Sequence, residues 1–124
     1  MEFSSRHFVD TVVAVPVGRI DHAAAGKLEG ALGPLLAEAQ PGNGGLILDF
    51  AGVDYISSVG LRVLMIAAKQ MRGRGARIAV AALQPVVAEI FAISRFDSVL
   101  EVFPSVREGL ATLSPAALAA FDAR

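Results

Sequence analysis

Apolar and polar positions change their period several times along this chain, and each change marks an element. "FVDTVVAVPVGRI" (Phe8 to Ile20) is rich in β-branched residues and reads as one or two strands. Asp10-Thr11 can turn between "EFSSRHFV" and "TVVAVPV", and Gly18 is expected to end the run. "HAAAGKLEGALGPLLAEA" carries Ala24, Leu28, Leu32, Leu35 and Leu36 at helical spacing, with Asp21 placed as its N-cap. Gly26, Gly30, Gly33 and Pro34 weaken that helix, so its end is expected to be frayed or irregular. "QPGNGG" is a loop.

"LILDF" (Leu46 to Phe50) is almost wholly apolar, as a strand buried on both faces should be. "AGVDYIS" reads as its connection to a helix from about Ser58 to Met71. In that helix Leu61, Leu64, Met65, Ala68 and Arg72 share a stripe that is expected to face the core. "RGRGA" is a turn, and "RIAVAAL" (Arg77 to Leu83) is a strand. "QPVVAEIFAIS" is a helix with Pro85 in its first turn, where proline is tolerated. "SVLEVF" is a last strand, "PSVREGLATL" a helix again opened by proline, and "SPAALAAFDAR" a short helical tail. Strands alternating with helices predict an α/β fold. The sheet should be mainly parallel, mixed at one edge, and flanked by about four helices. Residues 1–113 are expected to form one domain, and 114–124 a helical tail packed on it or extending it.

Composition narrows the function. A chain of 124 residues fits one domain, and 54% hydrophobic residues suffice for a core. A net charge of -1 gives no broad attraction to nucleic acid or anionic lipid. There is no cysteine, which removes disulfides, thiol nucleophiles and Cys-based zinc sites. The mean hydropathy of +0.57 raises the question of a membrane span, but the richest stretch, "VLMIAAKQM", is soon broken by Lys69. The start, "MEFSSRHFVD", has acidic residues and no apolar core of a secretory signal, so a cytoplasmic location is expected.

Catalytic constellations are weak. A nucleophile elbow needs glycine on both sides of the serine, and around Ser58 the first of those places holds Ile56. His7 and His22 lie far apart, and without cysteine they do not suggest a metal site. "GRGAR" follows a helix and precedes a strand, the reverse of a dinucleotide fingerprint, and no P-loop is present. Arg72, Arg74 and Arg77 form a local basic patch that reads as a solvated turn. No cofactor, metal or catalytic residue is therefore expected.

Three ordered pieces, "VGRIDHAAAGKLEGAL", "LILDFAGVDYISSVGLRVL" and "FDSVLEVFPSVREGL", resemble the STAS family, which includes sulphate-transporter domains and anti-sigma factor antagonists. The resemblance implies a single STAS domain without enzymatic activity. In free-standing members of that family, a serine two residues before the Gly-Leu pair is phosphorylated by an anti-sigma factor that is also a serine kinase. Here that serine is Ser58. Relatives often read Asp-Ser-Ser-Gly-Leu, whereas this chain reads Ser57-Ser58-Val59-Gly60-Leu61. The family's acidic positions fall on Asp21 and Asp49, which with Asp54 are expected near the start of the helix, beside Ser57, Gly60 and Leu61.

The resemblance thus implies partner switching in transcription regulation. The unphosphorylated protein would bind the anti-sigma factor, phosphate on Ser58 would release it, and a phosphatase would reset it. The alternative is a constitutive STAS scaffold in a transporter or stressosome-like complex, with Ser58 only capping a helix. A small α/β enzyme or nucleotide binder is the rival from another class. Val59, Val63 and Ile66 do not fit the buried stripe, and with Arg62 and Lys69 they form a candidate protein contact. A stripe that is simply wide would explain the same residues.

Overall fold

The computed structural model describes residues 1–42 and 44–124; Asn43 of the expected "QPGNGG" loop lies outside the described residues. Strands β1 (Glu2–Phe8) and β2 (Thr11–Ile20) form an antiparallel hairpin, with Val9 and Asp10 as its two-residue turn. The chain then runs through α1 (His22–Ala37), β3 (Gly45–Asp49), β4 (Val53–Ile56), α2 (Ser58–Gly73) and β5 (Ile78–Ala81). It ends with α3 (Pro85–Ile93), a short 3-10 turn at Phe96–Ser98, β6 (Glu101–Phe103), α4 (Val106–Leu113) and α5 (Pro115–Asp122). The sheet order is β1-β2-β3-β5-β6, parallel except for the β1–β2 pair, and β4 pairs with β2 off that path. This is the α/β architecture, mixed at one edge, that the alternation of elements predicts.

Both faces of the sheet are covered, and alternation along the central strands divides the core. Leu46, Leu48, Ile78 and Val80 join the cluster formed with α1, α2 and α3, which includes Leu28, Leu32, Leu64, Met71 and Phe91. Ile47, Ala79 and Ala81 face the opposite way, toward Leu110 of α4 and Ala117 of α5. On this second side α5 is tied down by the Phe8–Phe121 edge contact at 5.5 Å and by the Arg107–Asp122 ion pair at 3.0 Å.

Several elements depart from the sequence reading. Gly18 does not end β2: it adopts φ +107 at an irregularity where β2 leaves β3 and takes β4 as its parallel neighbour. The connection "AGVDYIS" contains a strand, β4, whose four residues and interior Asp54 are too short and too polar for a periodicity signal. Helix α1 runs unbroken through Pro34, because Gly26, Gly30, Gly33 and Pro34 all lie on its exposed side. Ser105, not Pro104, caps α4 by accepting from the Glu108 amide at 3.1 Å.

The largest correction concerns α2. Its buried residues are Gly60, Val63, Leu64, Ala67, Ala68 and Met71, so the helix is turned by roughly a quarter of a revolution from the expected stripe. Val63 is only 8% exposed, whereas Met65, expected inside, is 37% exposed. The cause is Gly60. A Cβ there would lie 2.8 Å from Ile56 Cγ1 and 2.9 Å from Ile20 Cγ2, so the bare backbone seats the helix against β2 and β4.

A polar clamp joins the hairpin turn to the far helices. Ser114 Oγ donates to Asp10 Oδ1 at 2.6 Å while accepting from the Ala117 amide at 3.1 Å, so one buried hydroxyl caps α5 and holds the turn. Thr11 Oγ1 donates to the same carboxylate at 3.2 Å. These donors, Ser114 foremost, hold the Asp10 carboxyl below its ordinary value.

Two stability tests follow from this packing. Gly60→Ala should destabilise the fold by about 1 kcal/mol or more, since overpacking outweighs the gain in helix propensity. Gly30→Ala, with open space around it, should stabilise by about 0.5–1 kcal/mol; urea denaturation measures both. The Asp10 contribution should be complete above the ordinary carboxyl value of 3.8 and lost as pH falls through the lower folded value. The stability gap between wild type and Ser114→Ala should therefore shrink on acidification below that value, measured by urea unfolding across the acid range.

Candidate functional site

The parallel pairing of β2 with β4 brings two helix starts together. Ile20 lies opposite Ile56, and the Ser57 amide donates to the Ile20 carbonyl at 2.8 Å. Asp21 and Ser57, the next residues of the two strands, are therefore neighbours. Each caps its own helix: Asp21 Oδ1 accepts from the Ala24 amide at 2.9 Å, and Ser57 Oγ from the Gly60 amide at 3.1 Å. Helix α1 and helix α2 thus leave the same end of the sheet side by side.

The two serines of "ISSVGL" divide the work. Ser57 is half-buried and extended, and it is the cap; its carbonyl also accepts from the Leu61 amide at 2.9 Å. Ser58 is the first helical residue, is exposed, and forms no side-chain hydrogen bond among the described residues. A group added to its oxygen displaces no cap. It would also stand near the free amides of the first turn, where negative charge is tolerated.

Asp49 is not part of this assembly. Leu48 lies opposite Ala14 whereas Ile56 lies opposite Ile20, which leaves Asp49 roughly 20 Å from Ser57 along β2. Its carboxylate instead accepts from the Ala51 amide at 3.0 Å and shapes the β3–β4 turn. Asp54 is exposed on β4, at the irregular step where two β4 residues oppose one of β2. An unforeseen neighbour is Arg19, whose guanidinium stacks at 4.0 Å over Tyr55, its partner in the β2–β4 register. The only hint in the sequence was the adjacency of each to an apolar strand residue.

From Ser58 a shallow groove of about 520 Å³ runs along the outside of α2. It is lined by Leu61, Arg62, Met65, Ile66 and Lys69, with Ser94 and Phe96 from the end of α3. Of the expected contact residues, Arg62, Ile66 and Lys69 lie here and are exposed. Val59 is half-buried against the helix-side core and Val63 is buried, so Val63 is withdrawn from the contact set. Met65, which is exposed, lines the groove instead.

The STAS domain family profile matches residues 3–109. The chain belongs to the STAS domain family. It is 37% identical over 107 residues to a Bordetella bronchiseptica protein named as a candidate anti-sigma factor antagonist, BtrV, covering 86% of this chain and 89% of that one. An anti-sigma factor antagonist structure from Mycobacterium paratuberculosis superposes with a TM-score of 0.80 at 21% identity, over 90% of this chain and 92% of the other. The anti-sigma factor antagonist SpoIIAA has been solved unphosphorylated, with a TM-score of 0.72, and phosphorylated, as the Bacillus protein, with 0.66. Both are 16% identical to this chain, with 90% of it covered and 95% and 98% of theirs. At such identities the superpositions establish the shared STAS fold. No helix among the described residues is long and apolar enough to cross a membrane.

Because Ser57 alone caps α2, Ser57→Ala should lower stability by about 1 kcal/mol. Ser58→Ala should stay within about 0.5 kcal/mol of wild type. Thermal and urea unfolding of the two variants measures the difference.

Proposed function

We propose that this STAS domain is an anti-sigma factor antagonist that works by partner switching. Unphosphorylated, it binds an anti-sigma factor with serine kinase activity and so frees a sigma factor. Phosphate transferred to Ser58 releases the complex, and a serine phosphatase restores it. The domain acts in the cytoplasm as a binding switch, not as an enzyme.

The observation that carries this reading is the placement of Ser58. Its hydroxyl is exposed at the first residue of α2, spared from capping by Ser57, and lies at the mouth of an apolar groove. The relationship to BtrV supports the antagonist role, and the phosphorylated form of SpoIIAA supports a phosphate-controlled version of it. A phosphate carries about −1.5 to −2 charges at neutral pH. On a surface that a partner must desolvate, this opposes binding. Asp21, beside Ser57, adds like charge, and neither effect requires the fold to move.

The test is a complex assay with the cognate anti-sigma factor kinase. Wild type and Ser58→Ala should bind. Ser58→Asp and the phosphorylated protein should bind at least roughly tenfold more weakly. Mass spectrometry after incubation with ATP should place the phosphate on Ser58 and find none on Ser58→Ala. Phosphate on another residue, or Ser58→Asp binding like wild type, would overturn the proposal.

A further inference from the structure

On α2 the residues Ser58, Arg62, Met65 and Lys69 follow one another at steps of four, three and four. They therefore form a single row, on the side opposite Gly60, Leu64, Ala67 and Met71, which face the core. Met65 and Ile66, at 37% and 40% exposure, give the row an apolar centre. Ser94 and Phe96 line the groove from the end of α3. Arg62 and Lys69 stand at either end of that centre, about 10 Å apart at 1.5 Å per residue. Neither takes part in an ion pair among the described residues. The groove beside the row has these two cations and no carboxylate in its lining. Glu29 lines the separate valley between α1 and α2, on the far side of Ile66.

This local sign contrasts with the whole molecule, whose net charge is -1. Two cations bracketing exposed apolar side chains are suited to a protein surface of opposite charge around an apolar anchor. A nucleic acid would use cations spread along its backbone and would gain little from Met65 and Ile66. A helix docked in the groove presents anchors and charges at the same spacing as α2 itself.

We propose that this row receives an acidic amphipathic helix of the anti-sigma factor. One or two apolar side chains of that helix seat on Met65 and Ile66, and two carboxylates about seven residues apart pair with Arg62 and Lys69. The proposal rests on the Ser58 reading given above and supplies its partner chemistry. It also explains why that serine is an effective place for a phosphate. Ser58 is the first member of the row, one helical turn before Arg62, so a phosphate of about −1.5 to −2 charges cancels most of the two cations the partner helix would meet.

The experiment measures binding of the unphosphorylated, full-length chain to the cognate anti-sigma factor by calorimetry at low and high salt. Arg62→Glu and Lys69→Glu should each weaken binding by roughly tenfold at low salt and flatten its salt dependence. Met65→Ala should weaken it similarly at all salt concentrations. Arg6→Glu, on edge strand β1, should match wild type. All four side chains are on exposed elements, and unchanged circular dichroism confirms that the variants fold. If both charge reversals bind like wild type while Ser58→Asp does not, the acidic-helix proposal falls and the phosphoserine switch stands. If Ser58→Asp also binds like wild type, both fall. The acidic-helix proposal is equally overturned if the reversals leave the complex intact but abolish binding to duplex DNA or to anionic vesicles.

Discussion

Helix α2 can begin where it does because its third residue has no side chain. Gly60 lies against Ile20 and Ile56 at distances that no Cβ could share. That contact fixes the rotation of the helix. With Gly60, Ala67 and Ala68 on the inner side, Ile20, Ile56 and the sheet can approach closely, and Val63, Leu64 and Met71 fill the remaining volume. Everything on the outer side follows from the same rotation: Ser58, Arg62, Met65 and Lys69 are exposed because Gly60 is not. The exposed row is thus the complement of a packing constraint.

A second consequence concerns the division between the two hydroxyls. The strand pair β2–β4 ends with Ile20 and Ile56 in register, so the cap of α2 is tied to the cap of α1 through the Ser57–Ile20 backbone bond. A residue committed in this way is a poor site for modification, because a change there costs about 1 kcal/mol of capping. Ser58 carries no such commitment. A charge added to it meets the favourable end of the helix dipole, an effect of about 0.3–1 kcal/mol that is small beside the stability of a domain. The fold can therefore tolerate a charged group at this position.

Much of this was legible in the chain. The order of strands and helices follows from period and punctuation, and the antiparallel edge from a turn expected at Asp10-Thr11, which forms one residue earlier, at Val9-Asp10. The serine pair before Gly-Leu marked the start of α2. What was not legible has a common physical origin in tertiary contact. β4 has four residues and gains its strand pairing from β2, not from its own pattern. The rotation of α2 is not legible because hydrophobicity alone places Leu61 and Met65 in the core, whereas close approach places Gly60 and Val63 there. Asp49 ends an apolar strand, as a site residue should, yet β2 outruns β3 and carries the helix starts away from it. α1 survives Pro34 because the proline lies on its solvent side.

The length of β2 decides where the caps of α1 and α2 stand. A strand that paired only with β3 would place the start of the helix after β3 at the level of Asp49, over the body of the sheet. By continuing through Gly18 to Ile20, β2 offers a second stretch of edge, and β4 takes it. The ends of β2 and β4 therefore project past β3, and the caps of α1 and α2 project with them. A partner can reach Ser58 and the row behind it without displacing any strand. A binding site that adds or loses one charged group on such a projection needs no allosteric relay, because the modified atom and the contact surface lie on one helical row. A switch of the kind proposed above depends on the electrostatics and desolvation of a few exposed side chains, and the sheet serves to hold them in place.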